Sequence, residues 1–343
     1  MLITYPKLSG ILVFTVYLLS SFSCASPDQI DTESDVTNPD LLNVVTTVSP
    51  ITSIVENIGG TYINLVGIVP EGVNSHTYEP PPSVAKIISN ANLIILNGLF
   101  LEEPFLIMAE ENAKPTTKII QLGNETISSE EWVFDFSFPE SDGHPNPHLW
   151  TDPILALKYA DIVRKELVKL DPENAEYFNS NFSIFQQRIE DLDYRISNSI
   201  STIPPKNRKL LTYHDSFPFF ASRYGMQIIG AVQPSNFSEP SAREVARLID
   251  QVIETGVPAI FGSEVFPSPV MKQIAKESNV EFIDQLRDDD LPGSSGDPQH
   301  SYLGLMESNI TIIVPALGGR IDSMVGFDTS LVFEGKSRTK YPE

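Results

Sequence analysis

The chain is expected to form an α/β protein of two lobes, each with a parallel-type sheet, joined by one long rigid helix. Three observations predict this. Short β-branched runs alternate with helical segments from residue 41 to about 122. A long amphipathic helical stretch follows, and the alternation resumes after Pro204-Pro205. A βαβα order places parallel strands under helices on both faces, because each crossover must lie on a face of the sheet.

In the first lobe, Asn43–Val48 (NVVTTV) reads as a strand, and Ser49 and Pro50 supply an N-cap and first helical position. Gly59-Gly60 stops that helix. Ile63–Val69, Leu93–Leu96 and Lys118–Leu122 are further strands, with helical segments near 83–90 and 102–111. Pro153 to about Asp171 is helical. After Pro172, the residues Tyr177, Phe178, Phe182, Phe185, Ile189, Leu192 and Ile196 recur at three- and four-residue spacing, an apolar stripe of roughly seven turns. A helix of that length predicts a strut rather than a flexible hinge. In the second lobe, strands are expected at Lys209–Tyr213, Gln227–Val232, Pro258–Gly262 and Val280–Leu286. Helices are expected at Ser216–Tyr224, Ser241–Glu254, Pro267–Ser278 and Ser301–Leu317. The expected organisation is an export signal over 1–24, a flexible acidic tether over 25–40, an N-terminal lobe over 41–171, a linking helix over 172–203 and a C-terminal lobe over 204–343.

The 343 residues, 41% of them hydrophobic, can bury one large core or two medium ones. With 45 acidic residues against 23 basic ones the net charge is -22, which argues against nucleic acid or an anionic membrane surface as partner. Lys7 and the apolar run Ile11–Leu19 (ILVFTVYLL) suit the core of an export signal and are too short for a membrane span. Cys24, the only cysteine, excludes an intramolecular disulfide. Its place directly after the signal resembles a lipoprotein lipobox: Ser23 fits the small preceding position, while Ser21 and Phe22 depart from the usual pattern. Residues 25–40 (ASPDQIDTESDVTNPD) carry too little apolar surface to order themselves.

Three of the five histidines fall at strand ends or helix starts: His76 beyond the strand ending at Val69, His148 before the first middle helix, and His214 directly after Lys209–Tyr213. Open α/β sheets gather ligand groups at such positions, so these three form a candidate metal site. Imidazole nitrogen suits zinc and is also found on manganese, iron, nickel and copper. A fourth donor is expected from Asp288-Asp289-Asp290, after the last strand, with Glu264 as runner-up. His144 reads as an exposed loop residue and His300 as a cap or surface residue. A zinc hydrolase is the competing reading; it needs an open water position, and no HExxH pattern occurs. Neither a P-loop nor GxGxxG is present.

The segments NVVTTVSPITSIVENIGG, GIVPEGVNSHTYEP, NPHLWTDP, TYHDSFPFFASRYG and DDDLPG with HSYLGLM resemble, in order and spacing, the zinc- and manganese-binding solute-binding lipoproteins of bacterial ABC importers. The resemblance covers residues 42 to about 318. It implies two α/β lobes bridged by one long helix, with the metal between them. It further implies His76, His148, His214 and Asp289 as ligands, Zn2+ as cargo with Mn2+ as the alternative, and no enzymatic activity. The implied partners are the importer's membrane permease and the membrane itself, through a lipid on Cys24, for an extracytoplasmic monomer. One departure stands out. The long histidine-rich loop of many zinc-type members is replaced by Phe134–Pro147, which offers only His144 with Asp135, Glu140 and Asp142 nearby.

Overall fold

A computed structural model describes residues 40–263, 265, 268–335 and 339–342. The export signal, Cys24, Glu264 and all but the last residue of the expected tether lie outside the described residues. Among the described residues, no helix is long and apolar enough to cross a membrane.

The first sheet contains β1 (Leu42–Thr46), β2 (Ile63–Gly67), β3 (Leu93–Leu96) and β4 (Lys118–Gln121), all parallel in the order β2-β1-β3-β4. Its helices are α1 (Ser49–Gly59), α2 (Val84–Asn90), α3 (Glu103–Asn112) and the single turn α4 (Leu122–Thr126). The second sheet repeats the topology: β5 (Lys209–Thr212), β6 (Gln227–Ala231), β7 (Ala259–Ser263) and β8 (Glu281–Leu286) in the order β6-β5-β7-β8, again parallel. Between the sheets in sequence run α5 (Pro153–Leu170) and α6 (Ala175–Ser201). Helices α7 (Pro218–Tyr224), α8 (Ala242–Thr255), α9 (Pro269–Ser278) and α10 (Tyr302–Ala316) complete the second lobe.

The α6 stripe behaves as its spacing predicts. Phe178, Phe185, Ile189, Leu192 and Ile196 are fully buried against α5, α1 and α10, while Tyr177 and Phe182 are only partly covered. Five such side chains contribute roughly 1.5–3 kcal/mol each, which holds a helix of about 40 Å straight against both lobes. Truncating Phe185 to Ala would cost about 3–5 kcal/mol. α1 is more enclosed than an amphipathic helix, since all eleven of its residues are buried. Ser49 is its first helical residue rather than its cap; Val48 takes the extended cap position and Pro50 remains in the first turn, where its missing N–H is harmless. Gly60 ends the helix at φ +51, and a Cβ there would meet the Tyr177 hydroxyl at 2.2 Å, so both conformation and space require glycine.

The lobes meet through buried polar contacts. Gly72 N donates to both Asp290 oxygens at 3.0 and 2.8 Å, and Trp150 Nε1 donates to Asp288 O at 2.9 Å. Ser137 N donates to Asp215 Oδ2 at 2.9 Å. These bonds bring the carboxyl ends of both sheets to one cleft.

Candidate metal centre

Each histidine is delivered by a short, capped piece of backbone. His76 lies in a single 3₁₀ turn, Ser75–Thr77, started by Asn74, whose side-chain oxygen accepts from His76 N at 2.9 Å. His148 precedes the turn Leu149–Thr151, after which Asp152 caps α5 by accepting from Ile154 N at 2.8 Å. His214 leaves β5 with its carbonyl accepting from Thr212 Oγ1 at 2.6 Å. Asp288–Asp290 leave β8 at a bend held by Asn309, which accepts from Arg287 N at 3.0 Å and donates to Arg287 O at 2.7 Å.

The three imidazoles converge. Nε2–Nε2 separations are 3.3 Å for His76–His148, 3.2 Å for His76–His214 and 3.0 Å for His148–His214. Tetrahedral zinc with nitrogens at about 2.0–2.1 Å requires edges of about 3.3 Å, so the triangle has the size of one coordination face.

The opposite ring nitrogens show what fills it. Asn146 donates through Nδ2 to Asp215 O at 2.6 Å and to Asp135 Oδ2 at 3.1 Å, which fixes its Oδ1 as an acceptor. That Oδ1 lies 2.8 Å from His148 Nδ1 and accepts its proton. Gln233 Oε1 accepts in the same way from His214 Nδ1 at 2.7 Å. Burial holds His76 and His148 well below the usual imidazole range, and burial lowers His214 despite the opposing charge of Asp289. Rings that donate through Nδ1 present Nε2 as the ligand atom. Turned toward one another at 3.0–3.3 Å, the three Nε2 atoms suit a cation held between them.

Carboxylates close the other side. Asp288 and Asp289 are 2% and 3% exposed, so this is no solvated acidic turn. Asp288 Oδ2 is 3.8 Å from His214 Nε2 and has no hydrogen-bond partner among the described residues; Asp289 Oδ1 has none either. Asp289 Oδ2 accepts from Ser75 Oγ at 2.6 Å. One ligand atom each from His148, Asp288 and Asp289 lies within 4.8 Å of the others. Burial, more than mutual repulsion, pushes Asp288 up to about 6 and Asp289 up to about 7. Behind the imidazoles, burial and then the charge of Asp215 push Asp135 up to about 9.

The structure thus brings His76, His148, His214 and Asp289 together. Asp288, one of the three aspartates the sequence offered, lies within the same 4.8 Å group as His148 and Asp289. Asn146 sits inside the NPHLWTDP motif and Ser75 inside GIVPEGVNSHTYEP, each close in sequence to a histidine of the site; Gln233 lies outside every one of these segments. His144 is exposed and stacks on Phe100, centroids 4.5 Å apart. His300 is neither a cap nor a plain surface residue: Ser301 caps α10, while His300 Nε2 pairs with Glu71 Oε1 at 3.1 Å.

A family model described as "Zinc-uptake complex component A periplasmic" matches residues 44–316. The manganese-binding lipoprotein MntA of Halalkalibacterium halodurans is 27% identical over 305 residues, 89% of this chain and 97% of its own length. The iron-binding protein YfeA of Yersinia pestis is 28% identical over 314 residues, 91% and 97% of the two chains. Among solved structures, the periplasmic zinc-binding protein TroA from Treponema pallidum is similar at TM-score 0.72 and 27% identity, covering 80% of this chain and 98% of that one.

Proposed function

The chain belongs to the periplasmic zinc-uptake component A family, and we propose that it captures a divalent transition-metal ion between its lobes and hands it to the membrane permease of an ABC importer. The observation that carries this is the convergence of the Nε2 atoms of His76, His148 and His214 to 3.0–3.3 Å of one another, with His148 and His214 oriented from behind by Asn146 and Gln233. His76, His148, His214 and Asp289 hold the ion, and Asp288 adds a second oxygen. Three protein nitrogens and two protein oxygens make a closed site, suited to holding cargo; a hydrolytic zinc keeps a position open for water.

Zinc is the favoured cargo. A nitrogen-rich set of four or five donors suits zinc, whereas manganese prefers more oxygen ligands, and zinc lies above manganese in the affinity order. Manganese is the second reading, because relatives such as MntA are named for it. Metal analysis of protein purified from its own compartment decides between them: zinc at one per chain supports the first reading, manganese the second. The same proposal takes 41–171 and 204–343 as the two lobes and 172–203 as their linking helix. It places the protein outside the cytoplasm as a monomer tethered by a lipid on Cys24.

A further inference from the structure

The three histidines are unequally enclosed. His148 and His214 are 0% and 1% exposed, while His76 is only half-buried. A cavity of about 190 Å³ opens onto it, lined by His76, Phe138 and Phe237, with Phe100, Asp142 and His144 further around its wall. An ion approaching His76 through this cavity passes two phenylalanine rings, one from each lobe. Phe138 and Phe237 are edge-to-face, with centroids 6.2 Å apart. Phe237 stacks on the His76 imidazole at 4.6 Å and 23°, and Phe138 tilts over the same ring at 5.5 Å.

Phe237 is held in an unusual way. Its backbone is left-handed at φ +56, a strained conformation for a residue bearing a Cβ. The base of its loop, between β6 and α8, is anchored: Gln233 accepts from His214 Nδ1, and Gln233 O accepts from Ser137 Oγ at 2.6 Å. The tip has local bonds, Phe237 N to Pro234 O at 2.9 Å and Ser238 Oγ to Asn236 Oδ1 at 2.7 Å. The tip meets the first lobe through ring stacking on His76 and Phe138. Backbone strain in the tip thus opposes the stacking that closes it over His76.

We propose that Phe237 is the gate on the metal path: closed over His76 it shields the ion, and swung out it lets the ion in or out. The residue therefore sets the rates of capture and release and leaves affinity nearly unchanged. The inference rests on the metal-capture reading above. The test uses Zn2+ alone, with stopped-flow capture from a fluorescent indicator, release into excess chelator, and affinity from equilibrium chelator competition. Phe237→Ala and Phe237→Gly should each speed both capture and release at least tenfold with affinity within threefold, the glycine variant also relieving the left-handed strain. Phe237→Trp should slow both. Unchanged rates in the glycine variant would overturn the gate. So would faster release with unchanged capture, since the ring would then merely hold His76 in place. Failure of the unsubstituted protein to bind zinc at all would instead remove the metal-capture reading on which the gate depends.

Discussion

Asp288→Asn should strengthen the metal-free protein and weaken the metal-bound one, a pair of opposite signs that few structural roles would produce. Burial lifts the Asp288 carboxyl from its ordinary 3.8 to about 6. A carboxyl raised on folding withdraws stability as pH climbs from the unfolded value through the folded one, and at pH 7 that loss is complete. Two units correspond to about 3 kcal/mol. Asparagine keeps the shape and the Oδ1 that accepts from Asp289 N at 3.1 Å. Its new Nδ2 stands where Oδ2 lies 3.8 Å from His214 Nε2, beyond hydrogen-bond reach, so burying that donor subtracts from the gain. The metal-free variant should therefore gain up to about 3 kcal/mol at pH 7 and only about 0.5 kcal/mol near pH 4, where the folded carboxyl is protonated and the unfolded one is about half-ionised. With an ion bound, the lost charge removes an attraction of about 4 kcal/mol per unit charge at about 4 Å and an effective dielectric of about 20. At least a tenfold loss of affinity follows, about 1.4 kcal/mol. Urea denaturation of the metal-free protein at pH 7 and pH 4, with chelator competition at pH 7, reads both quantities. Unchanged affinity would remove Asp288 from the donor set and leave Asp289 alone. A loss of metal-free stability at pH 7 would refute the electrostatic reasoning.

The remaining predictions concern the donors, the cargo, the tether and the motion. His76→Ala, His148→Ala and His214→Ala should each weaken metal binding at least tenfold by titration calorimetry, and any variant with unchanged affinity removes its histidine from the site. Zinc should displace manganese at equal free concentrations; manganese that resists displacement makes it the cargo. If Cys24 is lipidated, the protein partitions into detergent and Cys24→Ser releases it, whereas unsubstituted protein found wholly in the soluble fraction rejects the anchor. Solution scattering should show little change in overall size on metal addition, because α6 packs on helices of both lobes; a large compaction would contradict the strut.

What could be read from the chain depended on whether the signal was periodic or spatial. The α6 stripe and the two βαβα runs are periodic, so their faces follow from spacing, and the elements match to within a few residues. The histidines were legible because chemistry-bearing residues at the ends of parallel strands lie at one edge whatever the loops do. The acidic donor was not resolved in the same way. Consecutive residues of a bend point in different directions, and which of them faces the metal depends on Trp150 fixing the Asp288 carbonyl and Gly72 taking both oxygens of Asp290. Those partners are 138 and 218 residues away in sequence. Gln233 is hidden for the same reason, being an amide in a loop that acquires meaning only 2.7 Å from His214 Nδ1. The orienting groups behind the imidazoles are thus the least legible part of the site. They are also what turns Nε2 of His148 and His214 toward the centre of the site. Replacing Gln233 by Leu, which keeps its bulk and removes its acceptor, should therefore lower zinc affinity about 10–100-fold with His214 still in place. Chelator competition showing wild-type affinity in that variant would mean that packing alone orients the ring.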